Sequence, residues 1–289
     1  MMIKITNYSK IEDLYYDDIS QRKYKNYAYK TLEKIYQEKF EDDLGCDLKS
    51  LLCNSFDKLL NIKLPLNIES EIREVFNYQG KYQEHISDIF KEYIDLHTCY
   101  YCNIEFVNVF KATNKNIKSG YTIDHVKSKS EYPHLALSLY NFVPSCYVCN
   151  SKLKKDRDIG NVSPTASHFN FDKKVKFKTF MQNVNLQIEN TEDFELLLKE
   201  DFTNEYEKYI EVFELDGRYE YHKYKVIEMI NKRKQYPDSR IKELAKFTEK
   251  TEEEVKQDLF GEYLFEDDNL HKRPLSKLIR DISKELGLV

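Results

Sequence analysis

The chain has no tryptophan, and its 289 residues include only seven glycines, six prolines, six cysteines and four methionines. Nowhere does an uninterrupted apolar run approach the roughly 20 residues that a bilayer-spanning helix requires. The opening Met1-Met-Ile-Lys-Ile-Thr-Asn is not a basic segment followed by an apolar one, so a secretory leader is not expected either. Six cysteines are too few for a disulfide-dense secreted scaffold and suit a reducing compartment. The expectation is a cytoplasmic protein with no membrane association. Internal repeats and low-complexity linkers are also missing, and the 23 tyrosines, without tryptophan, read first as core and helix-surface filling rather than as a stacking platform.

Positive charge is scarce overall but concentrated locally. The formal net charge is −5, which taken alone argues against a polyanionic partner. Between Lys111 and Lys178, however, thirteen Lys and Arg face five Asp and Glu, a local net of +8 that leaves −13 for the remainder. That stretch carries Cys146-Tyr-Val-Cys149-Asn150, and Cys99-Tyr-Tyr-Cys102 lies just ahead of it. Two Cys-x2-Cys pairs let four thiolates close around one Zn²⁺, because each pair turns two sulfurs toward the same point. Cys46 and Cys53, seven apart on an expected helix, would be about 10 Å from each other, too far for a disulfide.

Hydrophobic periodicity divides the chain into a helical region (1–97), a central region (98–180) and a second mostly helical region (181–289), an α+β organisation. Helices are expected from Arg22 to Phe40, from Leu48 to Leu60, around Ile68 to Phe76, and from Tyr82 to Ile94. In the centre, Tyr121–Val126 and Phe142–Val143 predict a short hairpin followed by a helix over 150–155. Phe169, Phe171, Val175, Phe177, Val184, Leu186 and Ile188 suggest further short strands, and helical periodicity returns from Phe194. Thr251 with Glu254 forms a capping box, and Pro274 opens a last helix.

Within the cysteine clip, Asp124 and His125 would diverge from adjacent positions on an extended segment. A hard carboxylate suits Mg²⁺ or Mn²⁺, and an imidazole titrating near neutrality suits deprotonation of a water. Asn150, fixed by its neighbour Cys149, would supply a second oxygen to the ion, and Asn141 would pin the hairpin loop. Lys127, Lys129, Lys152, Lys154 and Lys155 are the expected phosphate contacts.

Asp124-His125, Asn141 and Asn150, interleaved with Cys99, Cys102, Cys146 and Cys149, resemble the HNH endonucleases with a zinc-bound ββα-metal fold. The resemblance spans about Thr98 to Asp158. It implies that His125 is the general base, that Asp124 and Asn150 hold the catalytic divalent ion, and that the four cysteines bind structural zinc. Asn150 stands where the family's name has a histidine. The wording Ile123-Asp-His-Val-Lys-Ser-Lys-Ser130, with Pro133 and Asn141 to Lys152, is further similar to HNH proteins encoded with ATPases in Septu-type and retron-linked anti-phage systems. That similarity implies an effector nuclease beside an ATPase partner. DNA is the expected substrate, with RNA an open alternative, and since one such site cuts one strand, double-strand cutting calls for a homodimer or successive nicks, to which the acidic flanks are suited. Two other readings compete: a stand-alone restriction-type endonuclease, and a non-catalytic zinc-stabilised adaptor that binds nucleic acid.

Overall fold

A computed structural model describes residues 4–5, 7–113, 117–181, 188–261 and 267–288. Among these, strands occur only as two-stranded antiparallel hairpins: β1 (Lys23–Tyr24) with β2 (Lys30–Thr31), β3 (Val109–Lys111) with β4 (Ile117–Ser119), β5 (Thr122–His125) with β6 (Phe142–Ser145), and β7 (Val175–Met181) with β8 (Phe194–Glu200). Helices make up the other regular elements, so the chain is α+β with its sheets small and separate. A two-stranded hairpin is marginal by itself. The β5–β6 and β7–β8 pairs gain a buried face and β1–β2 is anchored by buried Tyr24, whereas β3–β4 stays on the surface; one continuous core runs from Ile5 to Ile282, with a small satellite around Ile241, Val255 and Leu288.

The N-terminal α-helices are Glu12–Ser20, Leu32–Lys39, Glu41–Leu44, Leu48–Cys53, Phe56–Leu59, Glu69–Val75 and Gln83–Tyr93. The expected helix from Arg22 to Phe40 is corrected, since only its second half is α-helical, the first holding a short hairpin around a single 3-10 turn, Lys25–Tyr27. Tyr24 is drawn into the core, where its hydroxyl donates to the Val75 carbonyl at 2.6 Å. The chain then reverses through Ala28 and Tyr29, both in the left-handed region, before the Thr31 side chain caps the helix at Lys34 N–H. Tertiary burial has overridden the 3.6-residue period. The expected helix from Leu48 to Leu60 likewise breaks at Asn54, and Cys46 precedes it rather than sharing it with Cys53.

A second correction falls at Phe194–Glu200, which is a strand instead of the start of the helical region. Phe194, Leu196 and Leu198 alternate inward, and the run pairs with β7 from Val175↔Glu200 to Met181↔Phe194. Val184 and Leu186, expected on a strand, lie outside the described residues, as does Lys115. Helices Glu207–Val212, Leu215–Glu220, Lys223–Gln235, Asp238–Thr248 and Glu252–Phe260 follow, the last with the predicted Thr251/Glu254 capping box. The final helix, Ser276–Glu285, begins against Asn103, whose side-chain oxygen accepts from Lys277 N–H and the Ser276 hydroxyl, each at 3.1 Å.

Tyrosine does much of the joining. Tyr8 and Tyr15 donate to the Phe142 and Leu137 carbonyls at 2.9 and 2.7 Å, tying the N-terminal helices to the segment around β6. From the other side Tyr209 and Tyr219 donate to the Tyr101 and Cys102 carbonyls at 2.9 and 2.7 Å. Each places a large apolar ring in the core and satisfies a backbone acceptor there.

Candidate active site and metal centre

The predicted hairpin and helix are present in that order. In the β5–β6 pair, Asp124 faces Val143 and His125 faces Phe142, and the chain then winds through a π-helical segment, Val148–Lys154. Asn141 immediately precedes β6 and is fully buried. Its side chain accepts from Lys127 N–H at 2.8 Å and donates to the Lys127 and Leu135 carbonyls, each at 3.0 Å. At roughly 1 kcal/mol per bond, this one side chain closes the loop between the two strands and fixes the backbone beside His125.

The four Cys-x2-Cys sulfurs lie within 4.8 Å of one another, and all four residues are buried. Backbone amides approach them, with Ile104 N–H on Cys102 at 3.5 Å, Cys146 N–H on Cys99 at 3.3 Å and Cys149 N–H on Cys146 at 3.4 Å. Arg218, from the remote helix Leu215–Glu220, sets its guanidinium 3.2 Å from Cys149 Sγ and 3.4 Å from Cys102 Sγ. Burial opposes ionisation of the Cys102 thiol, yet hydrogen bonds from its fellow cysteines and the Arg218 charge hold it well below the usual thiol range. Four converging thiols with amide and guanidinium donors form a donor set for a structural metal, and their chemistry fits zinc.

Asp124 and His125 diverge as successive residues of a strand must. The Asp124 carboxylate turns inward, where it accepts from the Tyr101 hydroxyl at 2.6 Å and pairs with Lys154 Nζ at 3.2 Å. Burial raises its pKa above the usual carboxylate range, while Lys154 and Tyr101 act against that rise. His125 sits with its ring perpendicular to Tyr78 (centroids 4.6 Å, 88°) and against Phe142 at 5.0 Å. Its Nε2 meets the Ala136 carbonyl at 3.0 Å. A carbonyl only accepts, so this contact makes Nε2 the protonated nitrogen and leaves Nδ1 as the basic one. Burial pushes the ring pKa down to about 3, so the imidazole is neutral at physiological pH.

Asp124, His125 and Asn150 all line one cleft of about 420 Å³. The Asn150 amide nitrogen donates to Thr122 Oγ1 at 2.9 Å, which leaves its oxygen as the end available to a cation. Two hard oxygen donors on one cleft fit a divalent ion such as Mg²⁺ or Mn²⁺.

Two expected phosphate contacts are placed otherwise. Lys154 is fully buried, and besides Asp124 it donates to the His125 carbonyl at 2.7 Å. Lys127 is also buried, paired with Asp158 at 2.8 Å and donating to the Gly160 carbonyl at 2.9 Å. Each has a nearby carboxylate that outweighs solvent for its ammonium, and a count of lysines along the chain does not contain that partner. Lys129 and Lys155 line the cleft, and Lys152 is exposed beside Tyr147. Sequence reasoning missed Tyr101, Tyr78 and Arg218. Tyr101 sits between the two cysteines of the first pair, which hints at its placement, but nothing in sequence links Arg218 to thiols more than 60 residues away.

With this geometry in view, the comparison with known families is specific. Residues 99–156 match the family model for HNH endonuclease, so about a fifth of the chain is an HNH endonuclease domain containing every cysteine of the cluster together with Asp124, His125, Asn141 and Asn150. No curated protein and no solved structure matches the chain. Among the described residues no helix is long and apolar enough to cross a membrane.

Proposed function

We propose that the chain is a metal-dependent endonuclease that hydrolyses DNA phosphodiester bonds. The observation that carries the reading is the convergence of a neutral, carbonyl-anchored His125 with Asp124 and Asn150 on one cleft. His125 Nδ1 takes the proton of a water attacking phosphorus, and the Ala136 carbonyl holds the ring in the tautomer this needs. Asp124 and Asn150 would hold the divalent ion, whose chemistry is to neutralise charge building on the phosphate and the leaving oxygen. Tyr101 and Lys154 fix the Asp124 carboxylate and favour its ionised form. Lys129, Lys152 and Lys155 steer the polyanion without reading sequence.

The finer reading is an effector nuclease of an anti-phage system working with an ATPase partner. It is supported by the wording of Ile123 to Ser130 and by a remainder of net charge −13, better suited to protein than to DNA. One cleft of this kind cuts one strand, so double-strand cutting calls for a homodimer or successive nicks.

The test is nicking of supercoiled plasmid with Mg²⁺ or Mn²⁺ by wild type and His125→Ala, zinc content and melting matched. Nicking by wild type alone, with a loss of about 10²–10⁴ in the variant, is the expected result. Equal cutting by both would sink the assignment of the site. If the biological effect persists in the His125→Ala protein, the non-catalytic adaptor replaces the enzyme.

A further inference from the structure

The matched segment starts at residue 99, yet one wall of the cleft precedes it: Tyr78, Gln79, Gln83 and Ser87 line the same cavity as Asp124 and His125. This wall is a π-helical turn, Tyr78–Tyr82, leading into the helix Gln83–Tyr93. π turns are rare and persist where their surroundings hold them. Here the Asn77 side chain accepts from Gly80 N–H at 3.0 Å. A Cβ on Gly80 would lie 2.9 Å from Asn77 Nδ2, so any larger residue there would displace this cap. Asn77 and Gly80 together set the direction in which Tyr78 points.

That direction is toward the reacting centre. Tyr78 is only 6% exposed, with its ring packed on His125 and tilted against Phe142 at 5.6 Å. Five other buried tyrosines, Tyr8, Tyr15, Tyr101, Tyr209 and Tyr219, donate to protein acceptors. The Tyr78 hydroxyl meets no hydrogen-bonding group among the described residues, and the side chain borders the cleft. The hydroxyl is therefore free to bond an acceptor that enters the cleft in place of solvent. Lys129 Nζ, 5.9 Å from the ring centre, makes that acceptor anionic by preference. Burial keeps the phenol protonated, hence a donor at any working pH.

We propose that Tyr78 contacts the substrate, its hydroxyl donating to a non-bridging oxygen of the phosphate that His125 and Asp124 address. The catalytic set thereby includes a residue of the N-terminal helical region. The inference rests on the endonuclease reading. Its test is Tyr78→Phe, which keeps the ring and its packing, assayed with wild type and His125→Ala in steady-state plasmid nicking across pH. The expected result is a kcat reduced about 10- to 100-fold, with KM within about twofold, an unchanged acidic limb of the pH profile and an unchanged melting temperature. Tyr78→Phe cleaving within twofold of wild type, while His125→Ala is inactive, overturns the contact and leaves the nuclease standing. A shifted acidic limb would make Tyr78 a positioning residue for His125, against the phosphate contact. Should His125→Ala cut as wild type does, both readings fall together.

Discussion

Lys154→Met separates two roles for one side chain, because a lysine in a solvated basic run and a lysine buried under a carboxylate respond to it in opposite ways. The substitution keeps the chain's reach but removes a charge 3.2 Å from Asp124 and 2.7 Å from the His125 carbonyl. Both partners are almost fully enclosed, at 0% and 4% side-chain exposure. Removing one member of such a pair costs about 3–5 kcal/mol, since the other is left buried and uncompensated. Tyr101 still donates to Asp124, which places the expectation at the lower end, about 3 kcal/mol. For a chain of this size that is a fall in melting temperature of roughly 6–12 °C. Asp124→Asn is destabilising for the converse reason, and the double variant is expected to lose at least about 1.5 kcal/mol less than the two singles added together. Thermal and urea unfolding of the four zinc-loaded proteins, without added Mg²⁺, measures this directly. The salt dependence of DNA binding is the companion assay, with exposed Lys152→Ala as the reference. Were Lys154 a phosphate contact, its substitution would lower the salt slope by about one and leave melting unchanged. Strict additivity with Asp124→Asn, together with that slope change, would refute the buried pairing.

Other outcomes follow from the same structure. Arg218→Met removes the guanidinium from Cys149 and Cys102 and is expected to speed metal loss to a chelator about 10- to 100-fold; a colorimetric zinc-release assay giving wild-type rates would contradict it. Acid should destabilise the fold well before the carboxylates titrate. Burial lowers the pKa of His125, His134, His222 and His85, so the folded state binds fewer protons than the unfolded chain. Stability is then complete above pH 6.5 and falls as pH drops below it, by up to about 1.4 kcal/mol per pH unit for each such histidine. His134→Gln, which keeps a donor for the Ile62 carbonyl, should flatten that slope between pH 6.5 and 5 in urea titrations; an unaltered slope would show that His134 takes no part.

What the sequence disclosed was local and what it concealed was distant. Cysteine spacing, the Asp124-His125 pair and the hairpin carrying them are legible because each signal sits within a few residues. The inward turn of Lys154 and Lys127 was not, because it depends on Asp124 and Asp158 some 30 residues away. Phe194–Glu200 misled for another reason: a seven-residue run with leucines at 196 to 198 fits a buried helix or a strand equally, and only pairing with β7 decides. The helical period around Tyr24 was real but short, and a buried hydroxyl bond to Val75 outweighed it.

The tyrosine bonds have a consequence for how such a chain can evolve. Tyr8, Tyr15, Tyr209 and Tyr219 reach from both flanks to carbonyls on the hairpin and beside the cysteines. A recombination event that cut near residues 98 and 157 and moved the segment into a new gene would strip these donors from buried acceptors at once. The segment would arrive with its backbone unsatisfied and its Arg218 counter-charge left behind. The central segment's stability is thus bound to its flanks, and excised alone it would fold less stably than within the whole chain.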